Sequence, residues 1–254
     1  MSTFPDQFRL DGRTALITGS RRGLGWEMAK GLAEAGARVL LHGRSAERLA
    51  DRLAELRQAG HATDGVAFDM ADRTAMREAL AGHDGIDILI HNVGERDRRP
   101  FAEIEPEDFA RLVDVDLSAV HALVKLVAPG MIARGWGRVI LVTSIAGQLA
   151  VPGASSYIAA KGGLTAFARA LAAELGPTGV TANALSPGFF ATETNLPMMA
   201  SPMGERQRER CPAKRWAQPY EIAGAALFLA SPAASFVNGH TLVVDGGVSA
   251  TYLA

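Results

Sequence analysis

Short runs of consecutive apolar residues alternate along this chain with longer stretches in which apolar positions recur every three or four residues. A continuous apolar run reads as a strand buried on both faces, whereas three-to-four spacing lays one apolar stripe along a helix. The pattern predicts strands at residues 14–18, 38–42, 65–68, 86–91, 138–143, 181–185 and 241–244. Helices are predicted at 24–35, 46–58, 73–81, 106–134, 154–175 and 219–230. Strand, helix and strand in alternation require parallel pairing, with crossovers that cover both faces of the sheet. The expected fold is therefore α/β, a doubly wound (Rossmann-type) parallel sheet of about seven strands. Ligands of such sheets collect at the carboxyl ends of the strands.

A length of 254 residues with no Pro/Gly/Ser-rich linker fits one domain, residues 1–254. The alternation breaks at about residues 189–216, where Pro197, Met198, Met199, Pro202 and Met203 precede a charged run at 205–210. An excursion of that length after a strand end is expected to form a lid over a substrate site; the alternative is a packed surface loop.

Composition narrows the class of ligand. Lys and Arg number 26 against 27 Asp and Glu, so no net field draws the chain to nucleic acid or an anionic membrane. A small-molecule substrate fits better. Cys211 is the only cysteine, and the six histidines are scattered without ligand spacing, so neither an intrachain disulfide nor a metal site is expected. Residues 1–13 show no basic segment followed by an apolar run, and no stretch reaches the roughly 18 apolar residues of a membrane span. A cytoplasmic location is expected.

Thr18-Gly19-Ser20-Arg21-Arg22-Gly23-Leu24-Gly25 joins the first predicted strand to the first helix. Glycines there let the backbone approach a pyrophosphate, and the free amides of a helix start favour its charge. Tyr157 and Lys161, four residues apart on a predicted helix, share one face. A lysine cation beside a phenol favours phenolate, which makes a tyrosine usable as a general acid or base; alone, such a pair is as readily a helix surface contact. Ser144 ends the fifth predicted strand, where its hydroxyl can hold the same substrate oxygen.

The Thr-Gly-x-x-x-Gly-x-Gly spacing, His91-Asn92-Val93-Gly94, the Ser144/Tyr157/Lys161 set and Pro187-Gly188 with Thr192 occur in that order. On these motifs the chain resembles the short-chain dehydrogenase/reductase family over nearly its whole length. The resemblance implies hydride transfer between a nicotinamide cofactor and a carbonyl or secondary alcohol, with Ser144, Tyr157 and Lys161 catalytic. It implies cofactor contacts from Gly19, Arg21, Arg22, Gly23, Leu24, Gly25, Asn92, Val93, Gly94, Tyr157, Lys161, Pro187, Gly188 and Thr192, with Asp69 and Met70 at the adenine. It also implies a homotetramer. The second predicted strand ends in His42-Gly43-Arg44, without the carboxylate that would bind both ribose hydroxyls of NAD. Arg44, helped by Arg22, suits a 2′-phosphate, so NADP is expected.

One position departs from the family pattern. Asp116 stands where an asparagine usually supports a water linked to the lysine; a carboxylate accepts from that water but offers no amide donor. A retained but retuned proton relay is expected, against a solvated Asp116 or impaired catalysis. Residues 41–47, Arg98-Arg99-Pro100-Phe101 and residues 212–216 are similar to gluconate 5-dehydrogenases and related sugar-acid or polyol oxidoreductases. Arg98 or Arg99 is the expected clamp for a substrate carboxylate. The alternatives are a 3-oxoacyl carrier-protein reductase and, from another class, an NADP-binding regulatory protein without turnover.

Overall fold

A computed structural model describes residues 3–251. The strands are Thr14–Ile17 (β1), Arg38–Gly43 (β2), Thr63–Ala67 (β3), Ile88–His91 (β4), Gly137–Val142 (β5), Val180–Pro187 (β6) and Thr241–Val244 (β7). They form one parallel sheet in the order β3-β2-β1-β4-β5-β6-β7. Consecutive side chains of a strand point to opposite faces, and the cores follow that alternation. On one face Leu16, Leu89 and Leu141 meet the helices Arg73–Leu80, Ala119–Ala133 and Ser155–Leu175 through Met76, Leu123 and Leu164. On the other, Ile17, Ile88 and Ile140 meet Gly23–Glu34 and Ala223–Ala230 through Leu32 and Ala226. In chain order the helices are Gly23–Glu34 (α1), Ala50–Gln58 (α2), Arg73–Leu80 (α3), Pro106–Val113 (α4), Ala119–Ala133 (α5), Ser155–Leu175 (α6), Leu196–Met199 (α7), Pro202–Arg210 (α8) and Ala223–Ala230 (α9).

The stretch expected as a single α-helix at 106–134 contains a π-helical turn, Asp114–Ser118, between α4 and α5. A π turn carries an extra residue, which swings consecutive side chains inward. Val115 and Asp116 are both buried as a result. By length and composition this composite helix, Pro106–Ala133, could also cross a membrane, which the count of apolar residues did not anticipate; half of its apolar window is buried inside the fold.

The excursion after β6 folds into α7 and α8. Its ends are pinned: Phe190 and Ala217 form an isolated bridge, and Trp216, almost fully buried, donates from Nε1 to the Gly204 carbonyl at 3.3 Å.

Candidate active site

β1 lies between β2 and β4, so the connections leaving β1 and β4 diverge and open a crevice at their carboxyl ends. A cleft of about 690 Å³ occupies that place. The buried Thr18 ties β1 to the end of β4, its hydroxyl accepting from the amides of Asn92 at 2.9 Å and Val93 at 3.2 Å and meeting His91 Nδ1 at 3.1 Å. Gly19 follows with φ +64°, a conformation that strains any side chain. α1 then starts at Gly23 behind an N-cap residue, Arg22, whose side chain makes no capping bond, and no acid stands in its first turn. Its first amides are therefore left for an anion.

Gly19, Arg21, Arg22, Gly23, Leu24, Arg44, Asp69, Met70, Asn92, Val93, Gly94, Ser144, Tyr157, Lys161, Pro187, Gly188 and Thr192 all line the cleft. Gly25 does not. It sits behind the turn, where an added Cβ would collide with the Gly19 carbonyl oxygen and lie 2.7 Å from Asn92 Nδ2. The cradle fits a dinucleotide pyrophosphate on these grounds: uncapped amides, a left-handed glycine and a close approach that no larger residue permits.

The end of β2 itself, His42-Gly43-Arg44, brings no carboxylate to the cleft. His42 instead ties the cradle together: the Gly19 amide donates to Nδ1 at 3.1 Å, and Nε2 lies 3.1 Å from the Phe68 carbonyl. The ring is thus neutral and protonated on Nε2. Burial holds it so, lowering its pKa to about 4 against the opposing pull of the Phe68 carbonyl and Asp69. Among the described residues, neither Arg22 nor Arg44 makes an ion pair. Both guanidinium groups are available to a phosphate monoester.

At the other end, the first two turns of α6 carry Tyr157 and Lys161, both buried, toward Ser144 beyond β5. Lys161 Nζ donates to the Val142 carbonyl at 3.2 Å and lies 5.7 Å from the centre of the Tyr157 ring. Burial pushes the Tyr157 phenol up, but Lys161, Arg96 and hydrogen bonds involving Ser144 and Arg96 outweigh it and leave the phenol below its ordinary value. Ser144 Oγ accepts from the Ala146 amide at 3.1 Å, which leaves its proton free to donate.

Asp116 lies behind this pair, not in solvent. Its Oδ1 accepts from the Glu95 amide at 2.8 Å, while Oδ2 has no hydrogen-bond partner and lies 4.0 Å from Lys161 Nζ. Burial raises its carboxyl, with the Lys161 charge and the Glu95 amide opposing. An unpartnered carboxylate oxygen beside a buried ammonium leaves the acceptor that a bridging water requires.

The arginines of the loop after β4 sort differently from expectation. Arg99 is taken up by Asp97 and by Asp108, 2.6 Å away, and does not line the cleft. Its donors already face two carboxylates. Arg98 has no ion pair among the described residues and does not line the cleft either; partial burial and the neighbouring Arg96 disfavour its charge, with Tyr157 opposing. Arg96 is the member of the group that lines the cleft, with Thr194 and Asn195 from the excursion. Sequence reading passed over Arg96, Asn195 and His42. The only signal for His42 was its place at the end of the second strand, and none separated Arg96 from its charged neighbours.

A family model described as Enoyl-(Acyl carrier protein) reductase matches residues 19–249. Gluconate 5-dehydrogenase of Gluconobacter oxydans (strain 621H) is 39% identical over 96% of this chain and 98% of that protein. The crystal structure of a gluconate 5-dehydrogenase from Burkholderia cenocepacia J2315, in complex with NADP and tartrate, is 41% identical with a TM-score of 0.93, covering 97% of this chain and 98% of that one. The 3-oxoacyl-[acyl-carrier-protein] reductase FabG of Aquifex aeolicus (strain VF5) is 31% identical over 95% of this chain and 99% of that protein.

Proposed function

The chain belongs to the short-chain dehydrogenase/reductase family, and from that premise we propose that it is an NADP-dependent oxidoreductase interconverting a sugar acid or polyol and its ketone, of the gluconate/5-ketogluconate type. The observation that carries the reading is the Tyr157 phenol, buried beside Lys161 Nζ and Ser144 at the end of a cleft whose other end presents uncapped amides and unpaired Arg22 and Arg44.

The cradle, Arg22 and Arg44 would hold NADP(H), which would supply or accept the hydride there. Tyr157 gives its phenolic proton to the carbonyl oxygen in reduction and removes the hydroxyl proton in oxidation. Ser144 donates to the same oxygen and keeps it in line with the phenol. Lys161, anchored on the Val142 carbonyl, favours the phenolate form of Tyr157. Asp116 accepts from a water that returns protons toward Lys161. Arg98, which makes no ion pair among the described residues but stands outside the lining of the cleft, is the clamp if the substrate carboxylate reaches past Arg96, and the segment at 189–216 is the lid. The apolar side chains that α4 and α5 leave exposed, Phe109, Leu126 and Ile132, are the surface a second subunit covers in the expected homotetramer, and the expected location is cytoplasmic.

A panel of gluconate, 5-ketogluconate, a neutral polyol and an acetoacetyl thioester, run with NADP(H) and NAD(H) on enzyme of measured solution mass, tests this reading. Turnover of the sugar acids with NADP is expected. Arg98→Ala should raise the gluconate KM about tenfold or more, as loss of a charge-assisted bond does, with little change for the neutral polyol. Arg99→Ala should leave both unchanged. Preference for the thioester would transfer the site to carrier-bound acyl chains, and no turnover of any ketone would remove the enzyme reading.

Asp116→Asn tests the relay. Removing a carboxylate from the neighbourhood of Lys161 and Tyr157 takes away a negative charge that disfavours phenolate. The ascending limb of kcat/KM for alcohol oxidation should therefore move to lower pH. Superimposable profiles would remove Asp116 from the relay.

A further inference from the structure

Arg96 stands where three parts of the molecule meet. It belongs to the loop after β4; its guanidinium carbon is 5.2 Å from the centre of the Tyr157 ring; and Nη1 donates to Asn195 Oδ1 at 3.1 Å. Asn195 is itself fixed, donating from Nδ2 to the carbonyl of the buried Phe190 at 3.0 Å. Arg99 and Arg111 nearby are neutralised by Asp97, Asp108 and Glu95, whereas Arg96 makes no ion pair among the described residues. A guanidinium with no carboxylate of its own, at this distance from an aromatic ring, acts on that ring and its phenol.

We propose that Arg96 is a second cation acting on Tyr157, set in place by Asn195, so that seating of the 189–216 segment completes the activation of the acid–base group. The proposal rests on the reading of Tyr157 as that group. Lys161 cannot serve as the variable element, because it is buried and anchored to the sheet through the Val142 carbonyl. Arg96 is exposed, and the side-chain bond that holds it comes from the excursion. Without the Asn195 bond the guanidinium is free to move into solvent. The tyrosine would then be most acidic when the cleft is covered.

The groups that face Tyr157 are Lys161 from its own helix, Ser144 from the end of β5, and Arg96 and Arg98 from the loop after β4. Asp116, on the π turn, acts on the set through Lys161 and Arg96. Deleting a cation from this set disfavours phenolate, so the phenol must titrate at higher pH.

Two readouts decide the matter. The first is the near-ultraviolet absorbance of tyrosinate in the ligand-free protein, with Tyr157→Phe identifying the transition that belongs to Tyr157. The second is the pH profile of kcat/KM for alcohol oxidation. Arg96→Gln should move both to higher pH by about one unit. Asn195→Ala should move both in the same direction by less, and Arg96→Lys should restore most of the shift. An unchanged phenol transition in Arg96→Gln overturns the proposal, including the case in which only the sugar-acid KM rises, since Arg96 is then a substrate ligand alone. If Tyr157→Phe keeps its turnover, the acid–base reading falls with the profile, while the absorbance titration still tells whether Arg96 acts on the phenol.

Discussion

Tyr157→Phe is expected to lower kcat/KM for hydride transfer by about 10²–10⁴, the usual contribution of a positioned general acid or base. The substitution removes one oxygen and keeps the ring, which is 8% exposed and packed at the start of α6. The fold, the cradle and the amides of α1 are untouched and at most the contact of one hydroxyl with the cofactor is lost, so NADPH affinity should fall by less than about tenfold, under about 1.4 kcal/mol. Stability should fall by no more than about 1 kcal/mol, the usual net worth of one hydroxyl's hydrogen bonding. Stopped-flow reduction under single-turnover conditions, with NADPH binding followed by fluorescence, separates these quantities. Retention of more than a tenth of the wild-type rate constant would show that another group moves the proton. NADPH binding weakened by more than about tenfold would mean that the substitution had disturbed the cleft.

This expectation was legible before any coordinates, because strand ends and helix starts are where periodicity changes and where glycine-rich turns are conspicuous. The turn 18–25, the ends of β4, β5 and β6 and the first turns of α6 could each be located by counting, and parallel pairing then brings them to one edge of the sheet. The π turn at Asp114–Ser118 was not legible. The apolar spacing through 106–134 fits a regular helix as well, and nothing in it marks the extra residue that turns both Val115 and Asp116 inward. Nor could sequence say which arginine of Arg96, Arg98 and Arg99 faces the reacting group. Three like side chains within four residues differ only in their partners, and Asp108 and Asn195, which claim Arg99 and Arg96, arrive from other elements. His42 was hidden for the opposite reason. Gly43 beside it reads as the missing acid, and nothing marks His42 until its two ring nitrogens are seen joining Gly19 to Phe68.

Gly25→Ala is expected to cost the cradle its cofactor while a glycine-to-alanine change elsewhere does not. The new Cβ would meet the Gly19 carbonyl oxygen, a backbone atom that cannot rotate away, and Asn92 Nδ2 at 2.7 Å. Relief requires α1 to withdraw from the turn, which carries the first helical amides away from the pyrophosphate they would bind. Each charge-assisted bond so lost costs about 1.5–3 kcal/mol, so the NADP Kd should rise by at least tenfold and up to about a hundredfold for a single bond. Overpacking itself costs about 1–3 kcal/mol, or a Tm lowered by roughly 2–10 °C in a chain of this size. Gly224→Ala is the control: it lies within α9 with nothing within 4 Å of its added Cβ, so helix propensity should leave Tm equal or higher and Kd unchanged. Calorimetric titration with NADP and a thermal melt on both variants read the two effects separately. A Gly25→Ala protein that binds NADP like wild type would show that α1 can move without loss of the anion site, and the cradle would have to be assigned to the turn amides of Gly19 to Arg22 alone.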